Sequence, residues 1–280
     1  MSANPIFNIA SIAGVDPSGG AGVLSDVKTI SALGGYACAC VAALTAQNTQ
    51  GVQGILPIPS EFLVQQIDVL WSDVRIDATK IGMVGTGSAI AAVADRLRHW
   101  RAANVVLDPV MIAKSGDALL AKADVGVLRE TLLPVATVIT PNLPEAGVLL
   151  ESRAPETLKE MTRAAERLHA MLASGERWVY LKGGHLPGSD ATDLLFNGDR
   201  MIELRGEKVS TRNTHGTGCT LSSALATLLP QTLDMPEAAR RAKRYVTTAL
   251  MHADQLTVGQ GHGPLHHFHR LWEAGEELKR

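Results

Sequence analysis

Three cysteines in 280 residues are too few for a disulfide framework, which places the chain in a reducing compartment, the cytoplasm. The first Lys or Arg is Lys28, so no positively charged segment opens a secretory signal. Long apolar runs are missing as well: a stretch such as 36–44 falls far short of the roughly 20 residues that span a bilayer. Neither sign of charge dominates, with 26 Lys and Arg against 28 Asp and Glu. The resulting net charge of −2 offers no polycationic surface to nucleic acid or membrane. No G-x-x-x-x-G-K-[ST] occurs, which excludes a Walker-type kinase, and the first glycine-rich loop lacks G-x-G-x-x-G spacing. Linkers, internal repeats and low-complexity segments are also lacking, so residues 1–280 read as a single α/β domain.

What is present is 46% hydrophobic and 19% charged, too apolar for disorder and enough to bury a sizeable core. Apolar runs alternate with helical patterns. The spacing predicts strands over 6–13, 36–46, 78–84, 105–107, 135–140 and 178–181, with two more exposed ones over 191–196 and 201–204. Helices are predicted over 23–33, 60–72, 88–101, 125–133, 143–150, 156–172, 217–229 and 236–256. Ser60 is read as the cap of the second of these, with Phe62, Leu63, Ile67 and Leu70 at helical spacing. Repeated strand–helix pairs imply right-handed crossovers and a mostly parallel sheet covered on both faces. Ligands of such sheets bind beyond the carboxyl ends of the strands, and every unusual motif of this chain falls in a loop of that kind.

Each motif has a structural and a chemical reading. The loop 14–22, GVDPSGGAG, is either a tight turn or a backbone that lets a ligand come close. In 213–220, NTHGTGCT, Gly216, Thr217, Gly218 and Cys219 precede a helix, so their amides suit an anion. The alternative is a glycine-capped helix with an inert thiol. At a helix N-terminus the Cys219 thiol is expected to ionise more readily than a free one. Asn142 and Glu145 have capping-box spacing, which accounts for them without catalysis; the chemical reading places Glu145 near a phosphate-bound Mg²⁺. Asp108 and Lys182 each follow a strand and are either phosphate-site charges or solvated surface. Cys38 and Cys40 share one strand face and read as buried small hydrophobes ahead of a redox or metal pair. His262, His266, His267 and His269 lack Cys or acidic partners at ligand spacing and read as polar surface ahead of a metal site.

Together these loops resemble the hydroxymethylpyrimidine/phosphomethylpyrimidine kinases of thiamine biosynthesis, a branch of the ribokinase-like superfamily. The matching stretches are AGVDPSGGAG (13–22), LTAQNTQGVQ (44–53), RIDATKIGMVG (75–85), VVLDPVMIAKSGD (105–117), ITPNLPEA (139–146), VYLKGGH (179–185), NTHGTGCT (213–220) and VGQGHGPLHHF (258–268). The resemblance implies a ribokinase-like three-layer sandwich, ATP as phosphoryl donor, Mg²⁺ and a homodimer. By position it implies that Gly14, Asp26, Gln47, Met83, Val110 and Cys219 line a pyrimidine pocket. Asp108, Glu145, Lys182 and Lys243 would serve the nucleotide phosphates, Asp108 and Glu145 through Mg²⁺, and Gly216 to Cys219 would form the anion hole. The amide of Gln47 offers both donor and acceptor to an aminopyrimidine edge, and Met83 an adaptable apolar wall. A cysteine at position 219 also occurs in related pyridoxal kinases, so pyridoxal is the alternative acceptor, and a non-catalytic nucleotide or pyrimidine sensor the alternative outside enzymes.

Overall fold

The computed structural model describes residues 5–113, 116–188 and 190–274. Lys114 and Ser115, inside the 105–117 stretch quoted above, lie outside them. In chain order the elements are β1 (Asn8–Val15), α1 (Gly22–Ala32), β2 (Tyr36–Gln47), β3 (Val52–Pro57), α2 (Ser60–Asp73), β4 (Ala78–Ile81), α3 (Gly87–His99) and β5 (Val105–Leu107). There follow α4 (Val125–Val127), β6 (Val138–Ile139), α5 (Leu143–Leu149), α6 (Leu158–His169), β7 (Trp178–Leu181), β8 (Asp193–Phe196), β9 (Met201–Leu204), α7 (Thr217–Thr232), α8 (Met235–Met251) and α9 (His269–Ala274).

The strands form a nine-stranded sheet in the order β3-β2-β1-β4-β5-β6-β7-β8-β9. Pairings from β2 through β7 are parallel, whereas β3, β8 and β9 are added antiparallel at the edges. Alternation along each strand sends neighbouring side chains to opposite faces. Val105 and Leu107 therefore join a core with residues of α2, α3, α5 and α6, while Val106 joins a second core with α1, α7 and α8. Helices, sheet and helices make three layers, the expected ribokinase-like sandwich.

The chain leaves β1 to pair with β2 on one side and returns to pair with β4 on the other. That reversal opens a crevice at the carboxyl ends of β1 and β4. The β1–β2 register also shifts between Ala13 and Gly14, at the rim of this crevice.

Several local expectations need correction. Ser60 is the first residue of α2 and not its cap; Pro59 holds that position, and the Ser60 hydroxyl bonds Ser88 at 3.0 Å. Phe62 faces solvent, while Leu63 and Ile67 carry the buried face. The helix predicted over 125–133 is a succession of α, π and 3₁₀ turns ending at Val135, with Pro134 inside the last turn, where its ring favours a turn start over a strand. The strand predicted from 135 shrinks accordingly to Val138–Ile139. β8 is buried where an exposed strand was expected, because Leu194 and Leu195 enter the cores on opposite faces of the sheet. Most of the histidine tail is not surface: His262 is exposed as expected, but His266, His267 and His269 are 4%, 5% and 2% exposed. The segment folds back onto α1 and α7, where His267 Nε2 lies 3.0 Å from Ser25 Oγ and 3.2 Å from Thr220 Oγ1. Burial there lowers the His267 pKa to about 3, so the ring is neutral. Among the described residues no group of three or more His, Cys, Asp or Glu is arranged to hold a metal. Cys38 and Cys40 are buried free thiols, and burial pushes the Cys40 thiol up to about 12.

Candidate active site

Two loops wall the crevice between β1 and β4. The Gly14 amide donates to the Met83 carbonyl at 2.9 Å, and a Cβ on Gly14 would come within 2.7 Å of Met83 Cε. Glycine thus lets the thioether close over the strand end while Met83 keeps part of its surface open. Val110 lines a narrow void with Gly82, Gly85 and Ile90, on the β5 side of the same loop. Gln47 ends β2, half-buried, with Oε1 accepting from Thr45 Oγ1 at 3.1 Å. Gly14 and Met83 thus meet directly, and Val110 borders the residues on either side of Met83.

Facing them is the start of α7. Gly216 caps the helix at φ 79°, a left-handed conformation that favours glycine, and a Cβ there would sit 1.8 Å from the Gly20 carbonyl oxygen. Thr217, Gly218 and Cys219 form the first turn, so helix geometry leaves their amides without an i−4 acceptor inside the helix. A Cβ on Gly218 would lie 3.2 Å from Lys182 Nζ and 3.5 Å from Asp108 Oδ2, which places that cation and carboxylate against the turn.

Lys182 and Asp108 are drawn together by the sheet. The Lys182 amide donates to the Pro141 carbonyl at 2.9 Å beyond β7, and its Nζ reaches Asp108 Oδ1 at 3.0 Å and Glu145 Oε2 at 3.8 Å. Asp108, 1% exposed, also accepts from Thr140 Oγ1 at 3.2 Å and Ser222 Oγ at 3.3 Å. Glu145 closes the expected capping box: its amide donates to Asn142 Oδ1 at 2.8 Å and its Oε2 accepts the Asn142 amide at 2.7 Å. Burial raises the Glu145 pKa to about 7; Lys182 opposes the rise and Asp108 adds to it. Burial also acts against the Lys182 cation, but Asp108 and Glu145 outweigh it and hold its pKa above the ordinary lysine value. Two carboxylates around one cation leave an excess negative charge, an arrangement suited to a further cation.

Three of the expected site residues sit differently from their sequence reading. Asp26 is fully buried, accepting from Ser11 Oγ at 2.6 Å, Ser223 Oγ at 2.7 Å and Lys80 Nζ at 2.8 Å, so its oxygens are already engaged. Lys243 Nζ binds Asp193 Oδ2 at 2.6 Å, and Asp193 in turn accepts the Gly183 amide at 2.8 Å. Lys243 thus braces the residue after Lys182. Cys219 does not gain an easily ionised thiol: burial pushes its pKa up to about 11. Lys80 pulls it down and Asp26 and Asp108 push it up, but burial is the largest influence and sets the direction.

Lys80 escaped the sequence reading although it carried a signal. Strand ATKI, 78–81, is otherwise suited to full burial, and a lysine at 0% exposure there requires a buried acid. Thr140 and Ser222, ordinary hydroxyls in sequence, had no such signal. An open cleft of about 840 Å³ adjoins the α7 turn, lined by residues of 209–213 and 254–261.

The phosphomethylpyrimidine kinase family model matches residues 16–266. A hydroxymethylpyrimidine/phosphomethylpyrimidine kinase of Escherichia coli (strain K12) is 48% identical over 266 residues, 95% of this chain and 99% of that protein. The thiamine biosynthesis bifunctional protein of Geobacter sulfurreducens is 44% identical over 263 residues, 94% of this chain but 52% of its own length. Among solved structures, an ADP complex of Bacillus subtilis pyridoxal kinase matches with TM-score 0.85 at 33% identity, covering 94% of this chain and 98% of that one.

Proposed function

The chain belongs to the phosphomethylpyrimidine kinase family, and from that premise we propose that it phosphorylates 4-amino-5-hydroxymethyl-2-methylpyrimidine and then its monophosphate, with ATP as donor, in thiamine biosynthesis. The observation that carries this reading is the apposition of a small crevice, at Gly14 and Met83, to an anion-receiving turn flanked by Lys182, Asp108 and Glu145.

In this reading the acceptor sits between Gly14, Met83 and Val110, with Gln47 at its polar edge. The cleft lined by 209–213 and 254–261 takes the nucleotide base, because the chain runs from Asn213 directly into the turn at Gly216. The amides of that turn and Lys182 receive the charge that spreads over the transferring phosphoryl group. Phosphoryl transfer has a loose transition state, so positioning and charge stabilisation carry most of the rate. Burial pushes the Cys219 thiol up to about 11, which favours a pocket-shaping role over one that takes the acceptor proton. Asp108 and Glu145 would hold Mg²⁺, and the excess negative charge around Lys182 fits that ion. Bound there, Mg²⁺ supplies charge neutralisation of the donor phosphates.

We read 1–280 as one catalytic unit, since both cores rest on the same sheet. A homodimer is supported by exposed Leu44, Leu56 and Phe62 on β2, β3 and α2. A cytoplasmic setting is supported by the free cysteines; among the described residues no helix is long and apolar enough to cross a membrane. The test is ADP release with hydroxymethylpyrimidine, its monophosphate and pyridoxal as separate acceptors. A kcat/KM for pyridoxal above that for the pyrimidine would overturn the assignment, and no turnover with any acceptor would favour a sensor.

A further inference from the structure

The glycine-rich loop 14–22 and the α7 turn come from opposite ends of the chain yet meet backbone to backbone at Gly20 and Gly216. A buried polar contact crosses this seam: Asp16 Oδ2 lies 2.6 Å from His215 Nε2, with the residues 3% and 7% exposed. On its own side Asp16 organises the loop, accepting from the Ser18 amide and hydroxyl at 2.9 Å each and from the Ala21 amide at 3.0 Å. Lys28 braces the same loop by donating to the Gly19 carbonyl at 2.8 Å. On the other side the His215 amide donates to the Gly263 carbonyl at 3.0 Å, tying in the C-terminal segment. Burial disfavours the Asp16 carboxylate, but the hydrogen bonds from His215 and Ser18 outweigh it and hold its pKa below the usual carboxylate range. An ionised carboxylate only accepts, so His215 carries its proton on Nε2.

We propose that Asp16 and His215 are positioning residues for phosphoryl transfer, their contact fixing the acceptor crevice against the anion-receiving turn. The loop starts at Gly14 in the crevice wall, and His215 immediately precedes the Gly216 cap. Gly19, Gly22 and Gly216 all adopt positive φ, so the two loops have little side-chain bulk of their own to hold their separation. A charge-assisted bond buried at the seam supplies that constraint. Two reacting groups held by different loops lose rate steeply when the loops shift.

This inference rests on the kinase reading above. The experiment measures kcat, KM for each substrate and Tm for the parent, His215→Ala, His215→Gln and Gly20→Ala, by ADP release with hydroxymethylpyrimidine and MgATP. His215→Ala should lower kcat about 10²-fold, the scale of a 1 Å misplacement, with both KM values close to the parent's. His215→Gln, whose amide can put an N–H where Nε2 stood, should restore most of that turnover. Gly20→Ala keeps every polar group but places a Cβ 2.3 Å from His215 Cδ2, and should also lower kcat selectively. If His215→Ala does not fold, the glutamine and Gly20 variants decide. Parental kcat in Gly20→Ala, or a folded His215→Gln as slow as the alanine variant, overturns the role. An inactive parent overturns the kinase reading and this role with it, whereas an active parent with unaffected variants overturns the role alone.

Discussion

Replacing Glu145 by glutamine should stabilise the protein at pH 8 while reducing its turnover. The carboxyl is 8% exposed and its pKa is raised from 4.5 to about 7. Between those values the folded chain binds the proton that the unfolded chain releases. Stability therefore falls as pH rises through this window, and the loss is complete above pH 7. That displacement of the carboxyl pKa costs on the order of 3 kcal/mol at pH 8, a cost that vanishes below about pH 4.5. Glutamine keeps an acceptor for the Asn142 amide and leaves Lys182 paired with Asp108, so the substitution removes the ionisation cost without orphaning a partner. Urea denaturation of parent and Glu145→Gln at several pH values from 4.5 to 8 measures the difference directly. The gain should grow with pH, and MgATP should shrink it, because a cation between the two carboxylates favours the ionised form. A difference that is flat across this range would refute the reasoning, since a charge-independent packing effect has no reason to follow Glu145 titration.

Other outcomes follow from the same geometry. Gly218→Val puts carbon against Lys182 Nζ and Asp108 and should cost on the order of 10²–10³ in kcat at near-parental Tm, as for one lost oxyanion donor; undiminished turnover would remove the turn from the chemistry. Cys219→Ala should slow the alcohol and phosphate acceptors by similar factors, because a thiol pushed up to about 11 is poorly suited to act as a base; a loss confined to the alcohol, by about 10²–10⁴, would show that Cys219 takes the acceptor proton. Asp26→Ala leaves Lys80 charged and unpaired at 0% exposure and should cost about 3–5 kcal/mol in chemical denaturation, with Asp26→Ala/Lys80→Met recovering much of it; a loss under about 1 kcal/mol would mean the pair is not sealed from water.

The regular core of this fold was legible because its strands bury both faces and read as continuous apolar runs. Trp178–Leu181 has the predicted bounds, and α1 and α5 lie within one residue of theirs. β3 escaped notice: this edge strand is largely exposed and carries Gly54 and Pro57, so neither alternation nor burial marks it. At the proposed site, strand ends and glycine loops singled out Gly14, Asp108, Lys182 and Gly218 because such positions are fixed by the winding of the sheet. Pairings across the fold were not visible. Asp26 with Lys80, and Lys243 with Asp193, join residues about 50 apart in sequence, and only the fold brings them together. The same limit misjudged Cys219, whose thiol is governed first by burial and then by Lys80, Asp26 and Asp108, all distant in sequence.

The division of the core between the two sheet faces also has a consequence for biosynthesis. One face is covered by α2, α3, α5 and α6, all within the first 169 residues. The other joins α1 to α7 and α8, so Ile30 of the earliest helix packs in a cluster with Leu221 and Leu225 of a much later one. At the usual elongation rates of roughly 5–20 residues per second, the gap between Ala32 and Thr217 takes on the order of 10–40 s to translate. During that interval the nascent chain can assemble one layer while the underside of its sheet stays bare, with Asp26 and Lys80 already adjacent but Ser223 not yet made. Ribosome-bound chains arrested before residue 217 should therefore be the form that most needs a holdase, and release of α7 the event that ends the need.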